Sequence, residues 1–213
     1  VVGPAVDQAR VEAAVRRGLD RAKQLGLSMV VHGNVINASR TAPAGFPLPQ
    51  ARKQFADFCR LAAREGAARG ITVLIQPMGP SATNVINTVA EGLALVEEVK
   101  SPNLQLLGDF TTMIEGKEDF AILHQAGPHI KQIEIQNPNG RIYPQKADEA
   151  DYAGFFRALK KGGYVVGFSI HGKPGEFFKT APVAMTLLRG LAATELVGRS
   201  AERRVGKEGR SRR

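Results

Sequence analysis

Short apolar runs alternate along this chain with stretches in which apolar residues recur every three or four positions. Val11, Val15, Leu19 and Ala22 share one face of a helix over 7–25, Gly26 closes it, and the run 28–33 reads as a strand. A second helix, about 50–69, stops near Gly70 and leads into the run 71–77. Thr88 and Glu91 have capping-box spacing and open a helix that continues to Val99, followed by a strand over 104–110. A helix near 117–126 precedes the strand 130–136. Tyr152, Phe155, Phe156 and Leu159 mark another helix, closed by Gly162 and Gly163, before a strand over 164–172 and a last helix over 180–196.

Nearly continuous apolar strands, each separated from the next by a helix, are the pattern of parallel strands covered on both faces. Five strands fall short of the eight, in about 250 residues, that close a TIM barrel. The expected fold is therefore α/β, a partial (β/α)8 TIM barrel of five parallel strands with alternating helices. It forms one domain over residues 1–198, in a chain that opens at Val1 without Met and reads as lacking the earlier strands.

An apolar content of 43% in 213 residues suffices for a packed core and excludes a fibrous or disordered chain. The formal charge of +9 raises nucleic acid or an anionic membrane as partners. Seven Arg or Lys against two Glu fall between Arg199 and Arg213, however, so +5 of that excess lies in a tail without apolar periodicity. The 199–213 tail reads as a solvated, disordered arm and resembles the conceptual translation of a sequencing adapter. Without it, neither nucleic acid nor a membrane is an expected partner. Cys59, the single cysteine, lies among Phe55, Phe58 and Ala62 and reads as a buried structural thiol. No apolar run has the length of a membrane span, and a cytoplasmic protein is the expectation.

Chemistry enters at the ends of the strands. Gln76, Asp109, Glu134 and His171 close or nearly close four successive apolar runs, and parallel strands of one sheet bring their C-terminal ends together. An amide, two carboxylates and an imidazole can hold one divalent metal. His32 ends an earlier strand and is expected to point to the same mouth. Phe46 and Leu48 lie in a Pro-rich segment that could form an apolar lid, while His124 and His129 fall at the opposite end.

Several segments carry a resemblance. Val30 to Gly33, Gln76 with Asn84 to Thr88, Ser101 to Asp109, Asn139 to Arg141, Asp151 with Tyr152, and Gly163 to Gly167 together resemble the xylose isomerase-like TIM barrels. That family includes sugar isomerases and epimerases and the AP endonuclease family 2-like proteins. The resemblance implies one divalent metal held by Glu, Asp, His and Glu on the last four strands. The matching positions here are Gln76, Asp109, Glu134 and His171, of which Asp109 alone keeps the family's residue type. In the family the two Glu residues also move a proton at the carbon beside the substrate carbonyl, one on each face of an enediolate-type intermediate. Gln76 cannot exchange a proton, a family His aligns with Thr112, and Arg141 matches a residue that contacts sugar hydroxyls.

The altered donor set, rich in oxygen with one imidazole, suits Mn²⁺ or Mg²⁺ better than a structural zinc. The expected function is metal-dependent isomerase or epimerase chemistry on a small polyhydroxylated carbonyl substrate. Glu134 and His171 would be catalytic, and His32 and Arg141 would bind substrate. The alternative is a non-catalytic sugar-binding or partner-binding barrel. A DNA-cleaving member of the same barrel would need more His and carboxylate ligands than four His supply.

Overall fold

The strands predicted from the apolar runs form one parallel sheet in chain order: β1 (Met29–His32), β2 (Thr72–Ile75), β3 (Leu104–Asp109), β4 (Ile130–Ile135) and β5 (Phe168–Ile170). The computed structural model describes residues 1–33, 40–173 and 175–197, so the expected basic tail lies outside the described residues. The sequential strand order, with a helical connection between neighbours, is that of consecutive staves of a (β/α)8 barrel.

Helix α1 (Gln8–Gln24) is capped by Asp7, whose carboxylate accepts from Arg10 N at 3.0 Å, and buries Leu19 and Ala22. Helix α2 (Leu48–Ala67) has Pro49 in its first turn, where a missing N–H costs nothing. It buries Phe55, Cys59, Ala62 and Ala63, and burial pushes the Cys59 thiol pKa well above its ordinary range. Phe46 packs against this core instead of forming a lid.

Helix α3 (Val89–Val99) starts at the predicted Thr88 cap, which accepts from Glu91 N at 3.1 Å. The return bond differs from expectation. Glu91 accepts from Asn87 N, one residue early, while Glu118 satisfies Val89 N and Ala90 N at 3.0 Å each. The single helix expected over 117–126 is broken into a 3₁₀ turn, Phe120–Ile122, and the short helix α5 (Leu123–Ala126). An additional helix, α4 (Phe110–Glu115), begins directly at the end of β3. Helices α6 (Tyr152–Lys161) and α7 (Phe177–Ala192) complete the layer. Among the described residues no helix is long and apolar enough to cross a membrane.

Outward-facing strand residues, including Val73, Ile75, Leu104, Leu106 and Ile133, pack under Phe55, Val96, Phe155 and Phe156 to form the main core. Leu74 and Leu107 alternate with that set and are also buried, but on the sheet's inner face and apart from the main cluster. The strand expected over 164–172 is shorter than its apolar content suggested. Gly163 turns the chain at φ 75°, and the Tyr164 hydroxyl donates to Gly167 O at 2.6 Å, so 164–167 close a loop that leaves Val165 90% exposed.

One irregularity sets the positions that matter. Leu106 pairs with Ile130 but Leu107 pairs with Gln132, so β4 carries an extra residue, Lys131, at this level. The shift brings Asp109 level with Glu134; uninterrupted pairing would have set Asp109 beside the core residue Ile133.

Candidate metal and proton-transfer site

The C-terminal ends of the five strands frame a cavity of about 550 Å³, within the roughly 300–1,000 Å³ common for small-molecule sites. Gln76, Asp109, Thr112, Glu134, Arg141 and His171 all line it. Four of the expected site residues are therefore brought together by strand ends, and Arg141 joins them from the loop after β4.

Gln76 follows β2 and links the two carboxylates. Its Nε2 donates to Asp109 Oδ2 at 3.0 Å and to Glu134 Oε2 at 3.2 Å. Asp109 also serves the fold, since its Oδ1 accepts from Thr112 N at 3.0 Å and caps α4. Thr112, where the family places an imidazole, thus holds Asp109 through its main chain. The other Glu134 oxygen, Oε1, lies 3.4 Å from His171 Nε2, and Ser169 Oγ is also 3.4 Å from that nitrogen. Burial raises the Glu134 pKa above the ordinary carboxylate range. His171 opposes that rise, neighbouring Asp109 adds to it, and the Gln76 hydrogen bond opposes it.

Gly33 leaves room for Gln76. A Cβ at residue 33 would lie 2.1 Å from Gln76 Oε1 and 2.9 Å from its Cβ. Arg141, with φ 54°, pairs with Glu115 at 2.5 Å, and its carbonyl accepts from Lys173 N at 2.9 Å. The β4–α6 loop is in this way tied to the end of α4 and to the segment after β5.

His32 does not belong to this group. The strand alternation turns Val31 and Gly33 to the mouth and His32 to the helices, where its ring centroid lies 4.7 Å from Phe58 and 5.7 Å from Phe55. Burial, with contributions from Arg40 and the N-terminus, lowers its pKa to about 4, so it is neutral at physiological pH. Register makes the same point: His32 stands beside Ile75, a core residue, and not beside Gln76. His129 sits at the opposite end of the sheet, 3.3 Å from Gln105 Oε1, as expected.

Arg40 was not anticipated. It is only 2% exposed, its Nη2 donates to Gln76 O at 2.7 Å, and its guanidinium lies 5.6 Å from the Phe55 ring centroid. It anchors the main chain of Gln76 from behind. No strand or helix period announces it. Ser169 and Glu115 were also missed; Ser169 was legible as the residue two before His171 on the same strand face.

The donor types fit a divalent cation: two carboxylates turned to one point, an imidazole beside one of them, and an amide between them. Among the described residues no three His, Cys, Asp or Glu groups form a ready metal cluster. The Gln76 amide nitrogen occupies the space between the carboxylates. Turning that amide about its last torsion would replace a donor with an oxygen ligand.

Comparison with known proteins agrees with the fold. The family model described as xylose isomerase-like TIM barrel matches residues 3–180. No curated protein matches the chain. Among solved structures, the 3-keto-D-glucoside 4-epimerase YcjR from E. coli is 21% identical, with TM-score 0.68 over 84% of this chain and 69% of that one. The D-allulose 3-epimerase from Methylomonas sp., in complex with D-allulose, is 22% identical, with TM-score 0.66 over 95% and 71%. The IolI protein with a bound zinc atom is 17% identical, with TM-score 0.68 over 90% and 72%. At these identities the likeness is one of fold. The chain belongs to the xylose isomerase-like TIM barrel family.

Proposed function

We propose that this member of the xylose isomerase-like TIM barrel family is a metal-dependent sugar isomerase or epimerase-like enzyme, acting by proton transfer beside the carbonyl of a polyhydroxylated substrate. The observation that carries this reading is the cluster in which Gln76 bridges Asp109 and Glu134 while His171 meets the other Glu134 oxygen, within a cavity large enough for a sugar. The sugar epimerases of like fold, one of them bound to D-allulose, support the substrate class, and the zinc-bound IolI protein supports a metal.

Gln76, Asp109, Glu134 and His171 would hold Mn²⁺ or Mg²⁺, which prefer such oxygen-rich sets. When bound, such an ion would supply Lewis-acid chemistry to the oxygens of the substrate. Glu134, whose Oε1 lies 3.4 Å from His171 Nε2, would accept the proton from carbon, and His171 would move the hydroxyl proton. Arg141 at the rim donates to sugar hydroxyls, and Glu115 orients it.

The test combines metal analysis of the purified protein with solvent deuterium exchange into a panel of aldoses and ketoses. The reading predicts near one equivalent of metal, lost in Asp109→Ala, and metal-dependent exchange at the carbon beside the carbonyl. A fully loaded protein that exchanges no sugar would remove it.

A second reading has one observation in its favour. The Gln76 amide satisfies both carboxylates without a cation, which suits a sugar-binding barrel that no longer turns over. Sugar binding that survives chelation, with no exchange, would establish that alternative.

A further inference from the structure

Arg141 occupies a backbone position that its residue type disfavours. Gly140 and Arg141 follow one another with φ of 82° and 54°, and an antiparallel bridge between Asn137 and Ile142 closes the turn around them. Two successive left-handed residues favour Gly, Asn or Asp, because a larger side chain crowds the backbone there. Of the residues from 137 to 149, Arg141 is the one that lines the cavity, so the crowded position is also the one that faces the site. Backbone of this kind persists only where its surroundings hold it.

Two side chains supply that hold. Asn137 is only 3% exposed, and its main-chain N–H donates to Ile142 O at 2.9 Å. Its Oδ1 accepts from Asn139 N at 2.8 Å, and its Nδ2 donates to Glu149 Oε2 at 2.8 Å. Asn137 thus grips the chain on both sides of Gly140 and Arg141. Glu149 Oε2 also accepts from Gln145 N at 2.9 Å, so one carboxylate oxygen joins the start of the β4–α6 loop to its return. The anchor is rigid, because Glu149 shortly precedes Tyr152, which is fully buried at the start of α6 with its ring centroid 4.9 Å from that of Phe110. On the far side of the turn, Gln145 Nε2 donates to Thr180 O of α7 at 3.1 Å, and Lys173 N donates to Arg141 O at 2.9 Å.

We infer that Asn137 and Glu149 are positioning residues for substrate binding: they hold the strained turn that presents the Arg141 guanidinium to sugar hydroxyls, and they act on affinity through Arg141. This rests on the sugar reading above and assigns the residues that set its rim. Arg141 is fixed at two ends, its guanidinium by Glu115 and its main chain by the Asn137–Glu149 clasp. Loss of the clasp lets the turn relax toward ordinary backbone angles. The Cα of Arg141 then moves, and the guanidinium no longer meets Glu115 and a sugar together.

The experiment is a double-mutant cycle between Glu149→Ala and Arg141→Gly, with folding checked by circular dichroism. Metal-loaded proteins are titrated calorimetrically with the same panel of aldoses and ketoses. Each single variant is expected to bind sugar at least about tenfold more weakly, the lower end of what a hydrogen bond to a charged group contributes. The double variant should bind no more than about twofold more weakly than Arg141→Gly alone, since both changes remove one interaction. Glu149→Gln keeps an oxygen that accepts from both donors, and should restore affinity to within about threefold of the wild type. Urea midpoints give a second measurement that needs no sugar. Glu149→Ala should lower the midpoint less in the Arg141→Gly background, because Gly adopts the turn without being held. Wild-type affinity in Glu149→Ala, losses that multiply in the double variant, or equal midpoint losses in both backgrounds would each overturn the inference while leaving sugar binding in place. No sugar binding by the wild type would instead remove the sugar reading, and the inference with it.

Discussion

Asp109 and Glu134 stand in register on neighbouring strands and share one hydrogen-bond donor, the Gln76 amide nitrogen. Two carboxylates at this spacing repel one another unless something positive lies between them. The amide supplies part of that compensation, and a bound cation would supply more.

Asp109 serves both the proposed metal and the start of α4, and two substitutions separate these roles. Asp109→Ala should lose metal and also about 1 kcal/mol of stability through the missing cap. Asp109→Asn should lose metal affinity but keep most of that stability, because its amide oxygen can accept from Thr112 N. Metal analysis and urea midpoints measured on both variants check this; equal midpoints would show that the cap contributes nothing.

The Glu134 carboxyl should titrate above the ordinary carboxylate range in metal-free protein, because burial disfavours its charged form. His171 opposes that effect, so His171→Ala should move the Glu134 titration to still higher pH. Carbon NMR of the labelled carboxyl would follow both curves, and a shift to lower pH in the variant would contradict the assigned contact.

Burial of His32 makes stability sensitive to acid. Its folded pKa of about 4 lies below the ordinary 6.5, so the unfolded chain takes up the proton first as pH falls. Stability from this group is fully present above about pH 6.5, declines below that value and is lost by about pH 4, a total of about 3 kcal/mol. His32→Phe should flatten the difference between unfolding free energies at pH 7 and pH 4.5. It should leave sugar affinity unchanged, since the ring faces α2 and not the cavity. A large rise in KM would return His32 to the site.

Gly33→Ala should disturb the site without adding or removing any charged group. The new Cβ would overlap Gln76, so that side chain must leave its bridge between the carboxylates. The expected result is metal affinity at least about tenfold weaker and a stability loss of about 1–3 kcal/mol, the usual cost of overpacking. Calorimetric metal titration and thermal melts provide the check; unchanged metal binding would mean that Gln76 is not a ligand.

Much of the architecture could be read from the chain because parallel strands covered by helices leave an apolar signature that does not depend on distant contacts. The strand ends carried Gln76, Asp109, Glu134 and His171 into one region for the same reason. Less visible was the extra residue at Lys131, although Ile130, Ile133 and Ile135 betray it through a step of three followed by a step of two. The apolar run 164–167 misled, since Val165 and Val166 belong to a loop closed by Tyr164 and Gly167.

The sequence by itself determined the order of strands and helices, the end of the sheet where polar side chains gather, and the loss of an ionisable group at Gln76. Periodicity and residue chemistry are local, so they survive without coordinates. Tertiary structure decided which face each strand end presents. It turned His32 into the helix layer, buried Arg40 behind Gln76 and joined Glu115 to Arg141 across a sequence separation of 26. Those relationships depend on register and on the packing of segments far apart in the chain, and neither is encoded in any one stretch of it.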